Sequence, residues 1–108
     1  MEKVMYYSDR KTLTTSGTPE PLKSTQSKAA WIELTADKDN TGIIYIGGPT
    51  TTKGTGHGLN KDYVGIPLYP GHWFLIRWMD DYNPYDLHTI YMDADNNGDS
   101  VDYVYGRQ

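Results

Sequence analysis

The closing stretch of the chain, residues 90–105 (IYMDADNNGDSVDYVY), limits the fold more than any other segment. Two short runs rich in aromatic and branched residues flank a polar turn that contains Asn97 and Gly98. An Asn-Gly pair accepts the positive φ values that a tight turn requires, so this arrangement predicts a β-hairpin. The chain is therefore expected to consist of strands joined by tight turns.

The composition also favours strands over helices. Tyr occurs ten times against one Phe, and Gly occurs eleven times. Tyr combines a large apolar body with a polar tip and suits half-buried strands, while Gly, Asn and Asp supply turns. Turn signals recur about every ten residues, so we predict an all-β fold, an antiparallel β-sandwich or jelly roll of about seven or eight short strands.

Residues 29–36 (AAWIELTA) carry the clearest strand pattern in the first half of the chain. Apolar and other residues alternate with a period of two, which predicts one buried face. The buried face is predicted to carry Ala30, Ile32, Leu34 and Ala36, and the opposite face Trp31, Glu33 and Thr35. A turn cluster follows, and residues 43–46 (IIYI) are predicted to be the return strand of a second hairpin.

Residues 72–79 (HWFLIRWM) form the most apolar strand pattern, after a turn predicted at Pro70 and Gly71. Its two faces are both largely apolar. One face carries Phe74, Ile76 and Trp78, and the other carries Trp73, Leu75, Arg77 and Met79. A strand of this kind is either central in a sandwich or covered by another subunit.

The chain of 108 residues is long enough for one domain with a modest core. We predict a β-sandwich domain over residues 29–108. Residues 1–28 are poor in core residues and are predicted to be a partly extended segment that serves as an interaction arm. Residues 47–61 contain five glycines, and this segment is predicted to be a long loop that a neighbour orders.

Composition and charge exclude several classes of partner. The chain has no run of about 18 apolar residues, so no membrane-spanning helix is expected, and its first residues do not resemble a signal peptide. The net charge is −4 and the ten Lys and Arg residues are scattered. Binding of nucleic acid needs clustered positive charge, so it is not expected either. There is no cysteine, hence neither disulfides nor thiolate metal sites are expected.

The acidic turn DADNNGD admits two interpretations. An EF-hand calcium loop would use Asp93, Asp95 and Asn97 as its first ligands and Gly98 for the sharp turn. The twelfth position, which needs a bidentate Glu, is Val104. We therefore favour a turn whose acidic and amide side chains accept hydrogen bonds from the backbone.

No residue pattern indicates catalysis or a cofactor. His57, His72 and His88 lack metal-ligand spacing, and a cupin-like metal site would require them to converge in space. The adjacent acids Asp80 and Asp81 are more typical of a solvated turn than of a glycosidase pair. The chain contains no recognisable nucleophile or phosphate-binding motif, so we predict a non-enzymatic protein without a catalytic site, a metal site or a cofactor.

The aromatic residues are the best candidates for function. Three Trp and ten Tyr are more than a core of this size buries easily, so some of them are expected to contact a partner. A protein interface is favoured over a carbohydrate platform, because Trp and Tyr are enriched at interfaces. The candidate interface residues are Trp31, Trp73, Trp78, Tyr63 and Tyr69.

Three phrases of the chain carry a resemblance: TADKDNTGIIYIGG, GIPLYPGHWFLIRW and DLHTIYMDADNNGDSVDYVY. They contain an N-T-G-x-I-Y-x-G-G segment, a G-I-x-L-x-P-G turn and an L-x-x-I-Y-x-D-A-D-x-x-G-D-x-V ending. In this order they resemble a group of small β-sandwich proteins encoded among bacteriophage virion genes. The HWFLIRWM strand is more apolar than the corresponding strand of that group, which suggests an added contact surface.

The resemblance implies a structural role in the virion, after synthesis in the host cytoplasm. The expected function is that of a capsid decoration or cement protein, or of a small tail or head-completion component. The expected partners are the major capsid protein or other virion subunits, and the chain itself is expected to form a homo-oligomer. The alternative is a carbohydrate-binding module associated with the tail or baseplate.

Overall fold

A computed structural model describes residues 5–53, 64–77 and 85–107 of the chain. These residues form ten β-strands and one 3-10 helix, Leu87–Thr89. The strands are β1 Met5–Thr12, β2 Glu20–Pro21, β3 Lys28–Ala29, β4 Trp31–Ala36, β5 Ile44–Gly47, β6 Ile66–Leu68, β7 Trp73–Arg77, β8 Tyr85–Asp86, β9 Tyr91–Ala94 and β10 Ser100–Arg107.

The main strands form two four-stranded sheets in which all neighbours are antiparallel. The first sheet has the order β1-β10-β4-β7, and the second has the order β2-β9-β5-β6. β3 and β8 form a separate two-stranded ladder. The architecture confirms the predicted all-β fold, an antiparallel β-sandwich.

The strand pairs are nested inside one another along the chain. The first strand pairs with the tenth, the second with the ninth, the third with the eighth, the fourth with the seventh and the fifth with the sixth. The chain is thus one long hairpin that has been rolled up, with its main strands shared between the two sheets. This is the jelly-roll arrangement.

Both predicted hairpins are wrong, because each pair of strands is divided between the two sheets. β4 lies in the first sheet and β5 in the second, and β9 and β10 are divided in the same way. Local turn chemistry is compatible with a hairpin and with a crossover. The backbone of the acidic turn shows the difference: Gly98 has φ +84°, but Asn97 does not have the positive φ that a two-residue type I′ hairpin turn requires.

The core lies between the two sheets, and β4 buries the face predicted from its alternation. Ile32, Leu34 and Ala36 are buried, whereas Glu33 on the opposite face is exposed. Ala30 was also predicted on the buried face, but it precedes β4 and is half-buried, and Ala29 is buried instead. The second sheet contributes mainly through β5 and β9, whose residues Ile44 and Met92 are fully buried. The first sheet therefore has a buried side, which faces the core, and an outer side, which faces away from it.

Residues 5–28 take part in both sheets. β1 lies along β10 over eight residue pairs, and β2 pairs with β9. Leu13 and Leu22 are buried in the core, so this segment contributes strands and core residues to the sandwich. Its predicted role as an interaction arm stays a prediction.

β7 (Trp73–Arg77) lies within the apolar segment HWFLIRWM and is an edge strand of the first sheet. It pairs with β4 and, among the described residues, with no second strand. The turn predicted before it is present: Gly71 has φ +82°, and the N–H of His72 donates to the carbonyl of Tyr69. In the described part of the chain, β7 therefore does not have the central position that one of the two interpretations gave it.

Candidate functional site

The acidic turn is held by hydrogen bonds to the protein's own backbone. Asp93 is fully buried, and its Oδ1 accepts from the N–H groups of Gly17 at 2.9 Å and Ala94 at 2.8 Å. Its Oδ2 accepts from the N–H of Lys53 at 2.7 Å. Both carboxylate oxygens are thus used to fasten three separate backbone segments.

Two further acids join this turn to the crossover between β4 and β5. Asp99 accepts from the N–H groups of Thr41 and Gly42, both at 3.0 Å. Asp95 accepts from the N–H of Ile43, also at 3.0 Å. The acidic side chains therefore tie the two crossovers together, and most of the donors that they satisfy lie in other segments.

The described histidines do not form a common site. His72 is exposed and lies beside Tyr69, with ring centroids 5.5 Å apart. His88 is exposed, and its Nδ1 is 3.1 Å from the carbonyl oxygen of Lys23. His57 and the predicted acidic corner at residues 80–81 lie outside the described residues. Within the described ranges, no group of three His, Asp or Glu side chains is placed to hold a metal ion.

Exposed large apolar side chains are concentrated in one part of the chain. Eight large hydrophobic side chains are exposed among the described residues, and five of them lie between positions 64 and 75. We call these five the β6–β7 surface: Val64, Ile66, Tyr69, Trp73 and Leu75. These side chains lie close together in the chain, on or beside two edge strands, and exposed apolar side chains of this kind are candidates for a binding site.

The fold explains why these side chains are uncovered. β6 is an edge strand of the second sheet and β7 an edge strand of the first. The short turn that contains Gly71 joins them, and it is fastened to the end of β4 because the N–H of Gly71 donates to the carbonyl of Ala36 at 2.9 Å. The β6–β7 surface therefore rests on two sheet edges that are fixed to each other.

A second candidate region is the outer side of the first sheet, where Trp31 and Trp73 both lie. The indole of Trp31 covers Gly106, because a Cβ at position 106 would overlap its ring. The ring of Tyr6 lies beside it, at a centroid distance of 5.7 Å. Trp73 is opposite Thr35 at the other end of β4, and its exposed fraction is 64%.

A shallow groove lies on this outer side. Arg10 crosses from β1 to β10 and makes a bidentate contact with Asp102, with Nε 2.6 Å and Nη2 3.1 Å from the carboxylate oxygens. This hydrogen bonding and charge raise the pKa of Arg10 above its ordinary value. The groove is lined by these two residues and by Ser8, Glu33, Thr35 and Val104.

Three of the five predicted interface residues are placed by the structure. Trp73 and Tyr69 are exposed in the β6–β7 surface, whereas Trp31 is half-buried on the outer side of the first sheet. Trp78 and Tyr63 lie outside the described residues. The prediction missed Val64, Ile66 and Leu75. Ile66 and Leu75 lie on the edge strands β6 and β7, and Val64 lies just before β6 in an isolated bridge with Thr52.

The fold and the exposed edge define the class of protein: a small all-β sandwich with an apolar surface along two of its strand edges. No protein-family model, no curated protein and no solved structure matches the chain. In the part of the chain that the structure describes, no helix is long and apolar enough to cross a membrane.

Proposed function

We propose that this chain is a non-enzymatic structural protein of a bacteriophage virion, most specifically a decoration or cement protein that binds the capsid through the β6–β7 surface. The observation that carries the proposal is the concentration of five exposed apolar side chains along two sheet edges. Exposed apolar surfaces with aromatic residues favour contact with another protein. The resemblance of the three sequence phrases to phage virion proteins supports the choice of partner.

In this function the sandwich is a rigid support, and Trp73 and Tyr69 are the anchors. Aromatic side chains contribute large contact areas with little loss of rotamer freedom, and they often dominate binding energy at interfaces. Copies arranged on a symmetric shell make many such contacts at once. Multivalency then gives durable attachment even if each single contact is weak.

Co-sedimentation with purified phage heads that lack the protein tests the proposal. We expect the double variant Tyr69→Ser, Trp73→Ala to lose head binding by about 30-fold or more, as is typical of interface anchors. Val104→Thr is the control, since Val104 is an exposed apolar residue on a central strand of the first sheet. Equal binding by the double variant and the control would reject the proposed surface.

One observation favours a second candidate, a carbohydrate-binding module. The rings of Tyr6 and Trp31 lie beside a groove that carries Arg10, Glu33 and Asp102, and aromatic rings beside polar groups suit sugar recognition. Binding to a glycan array distinguishes this function from the first. Glycan binding that Trp31→Ala abolishes, together with unimpaired head binding, would assign the outer side of the first sheet to sugars.

A further inference from the structure

β7 is an edge strand whose sequence is suited to being covered on both sides. Trp73 and Leu75 are exposed on the outer side, with exposed fractions of 64% and 40%. On the inner side, Phe74 and Ile76 pack against the core but are only partly buried. A five-residue strand with apolar residues on both faces is typical of the middle of a sheet, and in this chain it lies at the end of one.

The other three edges of the two four-stranded sheets are protected against strand addition. β1 carries Asp9, Arg10 and Lys11 in succession. β2 and β6 are only two and three residues long, and they contain Pro21 and Pro67, which lack an N–H group. Charge, shortness and proline are the usual means of keeping an edge from pairing. β7 has no proline, and its first four residues carry no charge.

Among the described residues, the backbone groups on one side of β7 have no strand partner, and they follow a regular pattern. The N–H of Ala36 donates to the carbonyl of His72 at 2.9 Å, and β7 continues from there in register with β4. Residues of an antiparallel pair alternate between bonded and non-bonded positions, so Phe74 and Ile76 bond to β4. The N–H and C=O groups of Trp73, Leu75 and Arg77 therefore point away from it, towards the open edge.

We propose that this edge pairs antiparallel with β7 of a second copy of the chain, with Leu75 at the two-fold axis. In that register Leu75 lies opposite its own copy, Trp73 opposite Arg77, and Phe74 opposite Ile76. The outward N–H and C=O groups of Trp73, Leu75 and Arg77 in one copy are then all hydrogen-bonded to those of the other copy. The strand is thus self-complementary, as a two-fold symmetric interface requires, and this favours a second copy over an unrelated strand.

The pairing joins two four-stranded sheets into one continuous eight-stranded sheet. It rests on the geometry of the edge and does not depend on the phage assignment. It extends the proposed function, because Trp73 and Leu75 of both copies then lie on one sheet face and enlarge the apolar surface that faces a partner. The interface is short, so we expect a weak dimer in solution.

Single cysteines test the register, since the chain has no cysteine of its own. Residues in a bonded antiparallel pair have Cα atoms about 5.5 Å apart, a distance that a disulfide spans. We expect Leu75→Cys to give a covalent dimer under mild oxidation. Val104→Cys is the control, because Val104 has a similar exposed fraction, 38%, but lies on β10, which is paired on both sides.

A charge at the two-fold axis gives an independent test. Leu75→Lys would place two like charges opposite each other, so we expect it to abolish the concentration-dependent dimer mass in sedimentation equilibrium. Val104→Lys should leave that mass unchanged. Circular dichroism of both variants checks that they are folded. If Leu75→Lys is unfolded, the cysteine experiment alone tests the pairing.

Three results would overturn the pairing. The first is a wild-type protein that stays monomeric up to about 1 mM, a concentration at which even a millimolar dissociation constant leaves many chains paired. The second is a dimer that Leu75→Lys does not weaken. The third is disulfide cross-linking of Val104→Cys as readily as of Leu75→Cys. A monomeric wild type would leave the edge to a strand of another protein. A wild-type protein that forms the dimer but does not bind phage heads would count against the proposed function alone.

Discussion

Asn40 and Ser100 exchange two hydrogen bonds. The side-chain Nδ2 of Asn40 donates to the carbonyl oxygen of Ser100 at 2.8 Å, and the Ser100 N–H donates to Oδ1 of Asn40, also at 2.8 Å. The amide side chain thus bonds to the start of β10 as a neighbouring strand would. It fastens the crossover between β4 and β5 to the crossover between β9 and β10.

The first prediction concerns this exchange. Asn40→Ala leaves the N–H of Ser100, a buried residue, without its partner. We expect the free energy of unfolding to fall by about 1–3 kcal/mol, the cost of an unsatisfied buried group. Urea denaturation measures the change. Asn96→Ala, at an exposed position in the next turn, should have little effect, and an equal loss in both variants would show that the exchange is not responsible.

The second prediction concerns the buried carboxylate of Asp93. Asp93→Asn keeps the size of the side chain but replaces one acceptor oxygen by an NH₂ donor, although all the described partners of this side chain are N–H groups. We expect a loss of roughly 1.5–3 kcal/mol in the free energy of unfolding, because bonds to a charged acceptor are lost. Asp39→Asn is the exposed control. A calcium-dependent rise of Tm in the wild type but not in Asp93→Asn would instead support a metal site.

The third prediction concerns space at the crossovers. A Cβ at Gly42 would lie 2.7 Å from Cβ of Asp95 and 2.8 Å from Nδ2 of Asn96. Asp95 has little freedom to yield, because it is bonded to the N–H of Ile43. We expect Gly42→Ala to destabilise the protein by about 1–3 kcal/mol. At Gly48 a Cβ would meet no atom within 4 Å, so Gly48→Ala should be close to neutral. Thermal unfolding of both variants measures the difference.

The fourth prediction concerns acid. Burial alone would raise the pKa of Glu20, but Lys11 and the N–H groups of Thr14 and Thr15 outweigh it and hold the pKa below its ordinary value. A lowered pKa in the folded state stabilises the protein above the unfolded pKa, and this contribution is lost as the pH falls through the folded pKa. We therefore expect Glu20→Gln to be less stable than the wild type at pH 7. The difference should shrink at pH 3; a constant difference in urea denaturation would contradict this account.

Much of the fold could be predicted from local sequence patterns. The alternation in residues 29–36 identified the buried face of β4, and Pro70 and Gly71 identified the turn before β7. Both are short-range effects, set by side-chain periodicity and by allowed φ values. Strand pairing is not a short-range effect. β4 pairs with β10 and β7. The turn residues between β4 and β5 carry no information about these distant partners, and so they could not reveal that β4 and β5 lie in different sheets.

The candidate site was only partly predictable for the same reason. Trp73 and Tyr69 were identified because aromatic residues in excess of a small core indicate a contact surface. Ile66 and Leu75 look like ordinary strand residues, and only the sheet order shows that their strands lie at edges. The apolar character of both faces of β7 was visible in the sequence. In an edge strand, this apolar character indicates a surface that a partner covers and not a central position in a sheet.

The last prediction concerns Tyr103, whose side chain is buried and donates to the carbonyl oxygen of Leu22 at 3.2 Å. Burial, together with the negative charge of Asp9, raises the pKa of this phenol well above its ordinary value. At pH 7 we expect Tyr103→Phe to lower the free energy of unfolding by about 1 kcal/mol, because the hydrogen bond is lost.

The same residue gives a dependence on alkaline pH. Since the folded state keeps Tyr103 protonated, its contribution to stability is present below the unfolded pKa of about 10 and is lost as the pH rises towards the folded pKa. We therefore expect the stability deficit of Tyr103→Phe to shrink above pH 10, when unfolding is measured in urea at several pH values. Tyr6→Phe is the control, because Tyr6 is exposed and should show no such change. A deficit in Tyr103→Phe that stays constant to pH 11 would mean that the phenol ionises equally well in the folded protein.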